Sequence, residues 1–600
     1  MSGCFTDCTV HTSYMKTVWQ TLRDCNVEET PYCNHSGKRY PTWFKKAESM
    51  PISCLSGTPD LYLAKQSTAF SSFPPPMPIL RNSLATALAA LRRRRLLLAV
   101  LSGALLSLAF PGHPHPLMSW FYHPLWAHIA LVPLLLALSG RGFKDGFAAG
   151  WTCGFVWNLL SLYWVAHTQG GGPAVVAGTL LMAIYLGLFP GLFSGLLSAL
   201  WARWGTKALI LTPCLWTAQE YLLSLGELGF PWLLLGHGQA AMPHFVQHAI
   251  WTGVFGVSCW VVGLNLLFYW GLVSRSPGVV AAIGLAYLLP WLHAASAFAT
   301  PITQHIRIGL IQPNMTLAQK WGPNGLANSF TTLEALSRQA ATEAPQLLVW
   351  PETALPCYLA RRPDCRDRAF ALVEELHIPL LTGASDYDLA RNERYNAAFL
   401  LRPGHREMTA YAKMHLVPFG ERTPYRDDIP FLRNIDWTQL TGDLGPAEFA
   451  RGTQRTVFDL SASPNDAVPP SFAVLICFES IFPDLVRRHV ADGAGLLINI
   501  TNDSWFGLTA GPHQHALINV MRAVENRTAI ARAATSGISL FIDPFGRTYA
   551  ATELFTAAAP VADLPVGLGN TFYTRHGDIF AQGCLILTLA SLVPLYRKLD

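Results

Sequence analysis

The chain has 600 residues, enough for several domains. Apolar residues make up 51% and charged ones 14%, far below the roughly 25% charged share of soluble proteins, so it cannot face water over its whole surface. A net charge of +5, with no basic stripe beyond the arginines at 92–95, excludes a nucleic-acid partner.

Residues 1–80 are polar, hold Cys4, Cys8, Cys25, Cys33 and Cys54, and show no periodicity. No basic-then-apolar pattern opens them, so they read as neither signal nor transit peptide. They are expected to be a disordered extension or the product of a mistaken start codon ahead of Met77.

From Arg92 the character changes. Apolar runs follow at about 96–111, 125–139, 147–166, 174–202, 208–223, 248–273 and 278–299, with a last one at 580–596. A bilayer core takes about 20 apolar residues per helix. The runs at 96–111, 125–139 and 208–223 are short, and the last of these contains Glu220. The stretch 146–202 has no Asp, Glu, Lys or Arg and is interrupted only at 168–173, which reads as a tight turn.

Charge divides the connections into two kinds. Arg141 and Lys144, Arg203 and Lys207, Arg275, and Arg597 with Lys598 follow alternate runs, whereas 112–124, 167–173 and 224–247 hold no Lys or Arg. Because positive loops stay cytoplasmic, this alternation predicts eight spans over 92–299 and 580–600. Both ends lie inside, and residues 300–579 lie outside.

Segment 300–579 has ordinary charge density. Short β-rich runs at 306–311, 346–349, 378–381, 472–476, 496–500 and 539–542 alternate with helical stretches such as 329–342 and 516–534. That alternation predicts an α/β domain with helix-covered sheets. Its roughly 280 residues can bury a full core.

Twelve cysteines occur without CxxC, and HExxH is absent, so no metal site is expected. Cys357 and Cys365 are either a disulfide, if the segment is extracytoplasmic, or two free thiols.

Three strand ends carry chemistry. Leu347-Leu348-Val349-Trp350-Pro351 leads into Glu352. Lys413 and Glu421 flank an apolar stretch. Phe472-Ala473-Val474-Leu475-Ile476 runs into Cys477, Phe478 and Glu479, with a helix start near Pro483. A thiol at such a turn faces helix N–H dipoles, which are expected to lower its pKa. Taken singly, Glu352 reads as a solvated loop carboxylate, Lys413 as a surface lysine and Cys477 as an inert buried thiol. Together they supply a nucleophile, a base and a cation for a developing oxyanion, the needs of covalent acyl transfer.

Glu, Lys and Cys in this order, each near a strand end, resemble the nitrilase superfamily. With the apolar half included, residues 92–598 resemble its membrane-embedded branch, the bacterial apolipoprotein N-acyltransferases. Further matching stretches are Gly229-Phe230-Pro231-Trp232, Gln319-Lys320-Trp321 and Ile500-Thr501-Asn502-Asp503-Ser504-Trp505-Phe506-Gly507. Phe478 stands where the family usually has Tyr, and His415 where Asn would be unsurprising.

The resemblance implies an α-β-β-α catalytic domain outside the inner membrane and a two-step transfer without cofactor. A phospholipid would acylate Cys477, and the α-amino group of a diacylglyceryl-apolipoprotein would take the chain. Glu352 would be the base and Lys413 the oxyanion stabiliser. Glu421 and Glu479 would orient the lysine and the loops, with Phe478 and Asn502 supporting. Trp232, Trp321 and Trp505 would gate the site or contact lipid; as an alternative, Trp232 is an interfacial or core tryptophan. Two rival readings are a membrane-tethered amidase that hydrolyses its thioester and a multispan transporter or receptor with a ligand-binding outer domain. The few ionisable residues in the apolar runs disfavour an ion pathway.

Overall fold

A computed structural model describes residues 94–112, 120–433, 448–460 and 471–596. The extension expected over 1–80 and the basic residues Arg597 and Lys598 lie outside the described residues.

Each apolar run of the sequence contains helix. These are α1 (Arg95–Ser107), α2 (Val132–Leu138) after a 3-10 turn at Pro124–His128, α3 (Phe143–Ser161), α4 (Gly172–Trp204), α5 (Thr212–Leu223), α6 (Ala249–Ser274) and α7 (Pro277–Phe298). The continuous run Gly172–Leu223, α6 and α7 are long and apolar enough to cross a membrane, whereas Arg95–Ser107, Pro124–Leu138 and Ile579–Val593 are apolar but shorter. Helices α3 and α4 pack through small residues. A Cβ on Gly150 would sit 2.2 Å from the Pro190 carbonyl oxygen and 2.3 Å from Ser194 Oγ, so only glycine permits this approach, as in small-residue membrane contacts.

The polar segment is built on two sheets. The first contains β1 (Gln304–Leu310), β2 (Leu347–Val349), β3 (Leu355–Tyr358), β4 (Leu380–Asp388), β5 (Glu393–Arg402) and β6 (His405–Ala412). The second contains β7 (Val457–Phe458), β8 (Phe472–Ile476), β9 (Leu496–Thr501), β10 (Ile530–Ala534), β11 (Leu540–Ile542) and β12 (Thr548–Tyr549), while β13 (Val561–Val566) returns to pair antiparallel with β1. Strand order is β13-β1-β2-β4-β5-β6, with β3 beside β4, and β12-β11-β10-β9-β8-β7. The central pairs β1–β2, β2–β4, β8–β9 and β9–β10 are parallel.

Alternation along the strands sets the layers. Phe472, Val474 and Ile476 of β8 join Ile308, Val349 and Leu381 of the first sheet in one core between the sheets. Ala473 and Leu475, on the opposite face, pack with Val486 and Met521 and with Val254 and Phe255 of α6. Helices α8 (Gly325–Ala341) and α9 (Pro363–Leu376) cover the outer face of the first sheet. The arrangement is an α-β-β-α sandwich whose second helical layer, α10 (Pro483–Ala491) and α11 (Ala510–Asn526), rests on the apolar helices. The last apolar helix is α12 (Ile579–Tyr596).

One expected helix ends early. The stretch 516–534 reads as helix in the sequence, but α11 stops at Asn526 and Arg527 turns left-handed at φ 51°. Ile530–Ala534 then pairs parallel with β9. Alanine's helix propensity is worth only tenths of a kcal/mol per residue, less than a fully buried central strand position gains.

Candidate active site

Glu352 and Cys477 follow the carboxyl ends of the parallel-paired strands β2 and β8, where open α/β sheets bind ligands, and Lys413 joins them from the end of β6, which pairs antiparallel with β5. Glu352 follows β2 after Trp350, whose indole donates to Ser337 Oγ at 2.9 Å. The next residue, Thr353, has φ 44°. The chain passes so close to β4 that a Cβ on Gly383 would lie 2.6 Å from Thr353 N and 2.7 Å from Glu352 Cα. Lys413 follows β6, and its amide donates to the Asn396 carbonyl on β5 at 2.9 Å.

Cys477 ends β8 with φ 52° and opens a 3-10 turn, Cys477–Ile481. A left-handed residue with a Cβ costs about 1–2 kcal/mol, and such strain persists where surroundings over-determine it. Here Glu479 Oε2 accepts from Ile476 N at 2.8 Å. On the other side His515 Nε2 lies 3.1 Å and Ser480 Oγ 3.2 Å from the Cys477 carbonyl oxygen.

Lys413 donates to Glu421 Oε1 at 2.9 Å and to Glu352 Oε1 at 3.3 Å. Asn396 Nδ2 donates to the same two oxygens, at 3.0 and 2.8 Å. The other Glu352 oxygen accepts from Asn502 N at 3.0 Å. Burial alone would pull the Lys413 ammonium down, but Glu421, Glu352 and Cys477 outweigh it and hold its pKa above the ordinary lysine range. Lys413 is therefore a fixed cation.

The thiol departs from expectation. Burial, joined by the Glu352 carboxylate, pushes Cys477 above the ordinary thiol range, and Lys413 only partly offsets this. The helix-dipole argument put the shift in the wrong direction, because desolvating a thiolate costs more than one short turn returns. The carboxylates whose charges add to this rise are those of Glu352 and Asp503.

Glu421 Oε1 accepts from Lys413 Nζ, and its Oε2 accepts from Val417 N at 2.8 Å. Glu479 makes no direct bond to the lysine. It accepts from Tyr411 Oη at 2.7 Å, Met414 N at 2.6 Å and His415 N at 3.2 Å, tying the lysine loop to the cysteine turn. Asn502 meets the site through its backbone, while its side chain accepts from Ser504 Oγ at 2.6 Å. The Phe478 ring lies 6.0 Å from Phe230 and 5.2 Å from Phe482, inside the core shared with the apolar helices.

The tryptophans separate. Trp321 is 60% exposed, on the one-turn helix that Thr316 and Gln319 cap reciprocally. Trp505 is half-buried, and its carbonyl accepts from Gln169 N at 3.0 Å. Trp232 faces no lipid: it is 3% exposed, stacks on Phe230 and donates to Gln514 Oε1 at 2.9 Å. Trp164, Phe230 and His515 of α11 enclose its ring, which fits the alternative reading of a core tryptophan rather than lipid contact.

Sequence reasoning missed Asn396 and a buried chain behind the thiol. His515 Nδ1 lies 3.0 Å from Asp503 Oδ1, and Arg532 donates to Asp503 Oδ2 at 2.6 Å. Burial would raise the Asp503 pKa, but Arg532 and His515 outweigh it and lower it to about 2. Cys477, Asp503 and His515 bring donor atoms within 4.8 Å of one another. Both ring nitrogens are engaged by oxygens, so the set does not fit a metal. Asp503 stands in the quoted Asn502-Asp503 stretch; Asn396 and Arg532 had no local signal. Cys357 and Cys365 are buried free thiols.

Residues 102–267 match the family model "Apolipoprotein N-acyltransferase N-terminal domain", and residues 307–569 match "Carbon-nitrogen hydrolase". The apolipoprotein N-acyltransferase of Chlorobaculum tepidum is 34% identical over 543 residues, covering 85% of this chain and 98% of that protein. The chain belongs to the apolipoprotein N-acyltransferase family. The family's members in Geobacter metallireducens and Allorhizobium ampelinum are 35% and 31% identical, covering 83% and 84% of this chain and 94% and 96% of theirs. Like other apolipoprotein N-acyltransferases, the chain is an acyltransferase enzyme.

Proposed function

We propose that this enzyme moves an acyl chain from a phospholipid, through a thioester on Cys477, to the α-amino group of the N-terminal diacylglyceryl-cysteine of an apolipoprotein. The observation that carries the reading is Lys413 hydrogen-bonded to Glu352 beside the Cys477 thiol, in a sandwich resting on apolar helices. Glu352 takes the thiol proton as Sγ attacks the ester carbonyl carbon. The ester C–O bond breaks, and the glycerol oxygen takes that proton and leaves as a lysophospholipid. The amine then attacks the thioester, Glu352 takes its proton, and the C–S bond breaks to return the thiol. Lys413 faces the oxyanion in both steps.

The membrane reading supports this chemistry. Residues 92–299 and 580–600 form eight spans of the bacterial inner membrane, both termini are cytoplasmic, and 300–579 is the periplasmic catalytic domain. The segregation of Lys and Arg among the loops supports that orientation. Both substrates are lipid-anchored, and extracting a chain would cost about 0.8 kcal/mol per methylene, so the site works at the bilayer surface. Trp321, which is exposed, and the half-buried Trp505 are read as lipid contacts or gates of the site.

Incubating the purified enzyme with phospholipid tests the reading. A hydroxylamine-labile acyl adduct on Cys477 that passes to the amine of a diacylglyceryl-cysteine peptide is the expected result. No adduct favours a transporter or receptor, and release of free fatty acid without amine transfer favours an amidase-like hydrolase.

A further inference from the structure

Two carboxylates, Glu352 and Glu421, share one ammonium. Their Oε1 atoms both accept from Lys413, and like charges this close repel unless further donors separate them. The donors come from Asn396, which is 2% exposed on β5. One Nδ2 serves Glu352 Oε1 at 2.8 Å and Glu421 Oε1 at 3.0 Å. Its orientation is not interchangeable, because both neighbours only accept. The same residue's carbonyl accepts from Lys413 N at 2.9 Å, and its place in the sheet is set by the register Ser385↔Asn396 against β4. Asn396 thus touches the base, the second carboxylate and the backbone of the lysine.

Its Oδ1 is buried without a partner. An orphaned buried acceptor is destabilising, so the residue serves the two carboxylates at a cost to its own hydrogen bonding. A residue kept only for packing would give no reason for that arrangement.

We propose that Asn396 is the positioning residue of this site: its amide bridges Glu352 and Glu421 and its carbonyl fixes Lys413, so that base and cation are held in one geometry before substrate arrives. The proposal rests on the reading of Cys477 as nucleophile and Glu352 as base.

The test measures thioester formation on Cys477 by the full-length enzyme in phospholipid micelles, for wild type and for Asn396→Ala, Asn396→Ser and Asn396→Asp, with melting temperature alongside. A displacement of about 1 Å in a reacting group lowers rates on the order of 100-fold. The alanine variant is expected to lose about that much in kcat, with KM for phospholipid unchanged. Serine, which keeps one donor, falls between. Aspartate, the same shape with a third negative charge and no donor, is at least as slow as alanine. Packing alone predicts the opposite ranking, with aspartate nearest wild type.

An aspartate variant as fast as wild type, or an alanine variant with unchanged kcat, overturns the proposal. If alanine does not fold, serine faster than aspartate supports it and the reverse order overturns it. Wild-type enzyme that forms no adduct overturns the proposed function instead, so the two failures are distinct.

Discussion

The side-chain carbonyl of Gln514 accepts the indole N–H of Trp232 at 2.9 Å, joining the helix behind Cys477 to a loop of the apolar half. The same oxygen accepts from Trp164 Nε1 at 3.0 Å, and the Gln514 amide donates to the carbonyls of Pro111 at 2.9 Å and Ser161 at 3.1 Å. His515, the next residue, faces the Cys477 carbonyl and carries the Trp232 ring at 5.2 Å. The apolar half therefore holds the helix that backs the Cys477 turn.

Gln514→Leu should loosen this joint. It leaves two buried indole N–H groups and two carbonyls without partners, each costing about 1–3 kcal/mol. A lower melting temperature and faster deuterium exchange across 510–526 are expected. Unchanged exchange there would show that the joint does not hold the helix.

Cys477→Ala should abolish both half-reactions, since no other thiol lies beside Glu352 and Lys413 among the described residues. Glu352→Gln should block thioester formation with phospholipid, because the thiol, already pushed above its ordinary pKa by burial, keeps its proton. Mass spectrometry of the Cys477 peptide reads both variants. An acylated peptide from the glutamine variant at the wild-type rate would remove Glu352 from the role of base.

Lys413→Met should slow acyl transfer by an amount corresponding to about 2.7–4 kcal/mol, the range for losing one oxyanion donor. It should also lower stability by about 3–5 kcal/mol, because the buried Glu352 and half-buried Glu421 carboxylates lose their cation. Steady-state rates and denaturant melts separate the two effects. A rate loss below about tenfold would argue against the oxyanion role.

Glu479 predicts a pH dependence of stability. Burial pushes its pKa from 4.5 up to about 7, even though Ile476 N, Tyr411, Met414 N and the Lys413 charge hold it back. The folded carboxyl thus binds its proton more readily than the unfolded one. Between pH 4.5 and about 7 the folded state carries more protons, and stability falls as pH rises through that window. The total is about 3 kcal/mol at 1.36 per unit. Glu479→Gln should lack that slope in denaturant melts from pH 4 to 8, and an identical slope in both proteins would assign the pH dependence to other groups.

What the sequence determined by itself is what depends on near neighbours. Apolar runs mark the helices because burial of a whole helix surface needs unbroken composition. The strands ending before Glu352 and Cys477 show as short buried runs closed by Pro351 or by a turn, and Lys413 and Glu421 stand out only by their order relative to those ends. Tertiary structure decided the rest. Pairing across sheets brought Asn396 to both carboxylates, and β9 drew Ile530–Ala534 out of the expected helix. The covering layers buried Trp232 and raised the pKa of the Cys477 thiol. Periodicity and composition act over a few residues, whereas desolvation and charge pairing depend on groups far apart in the chain, and no local pattern records which of them will meet.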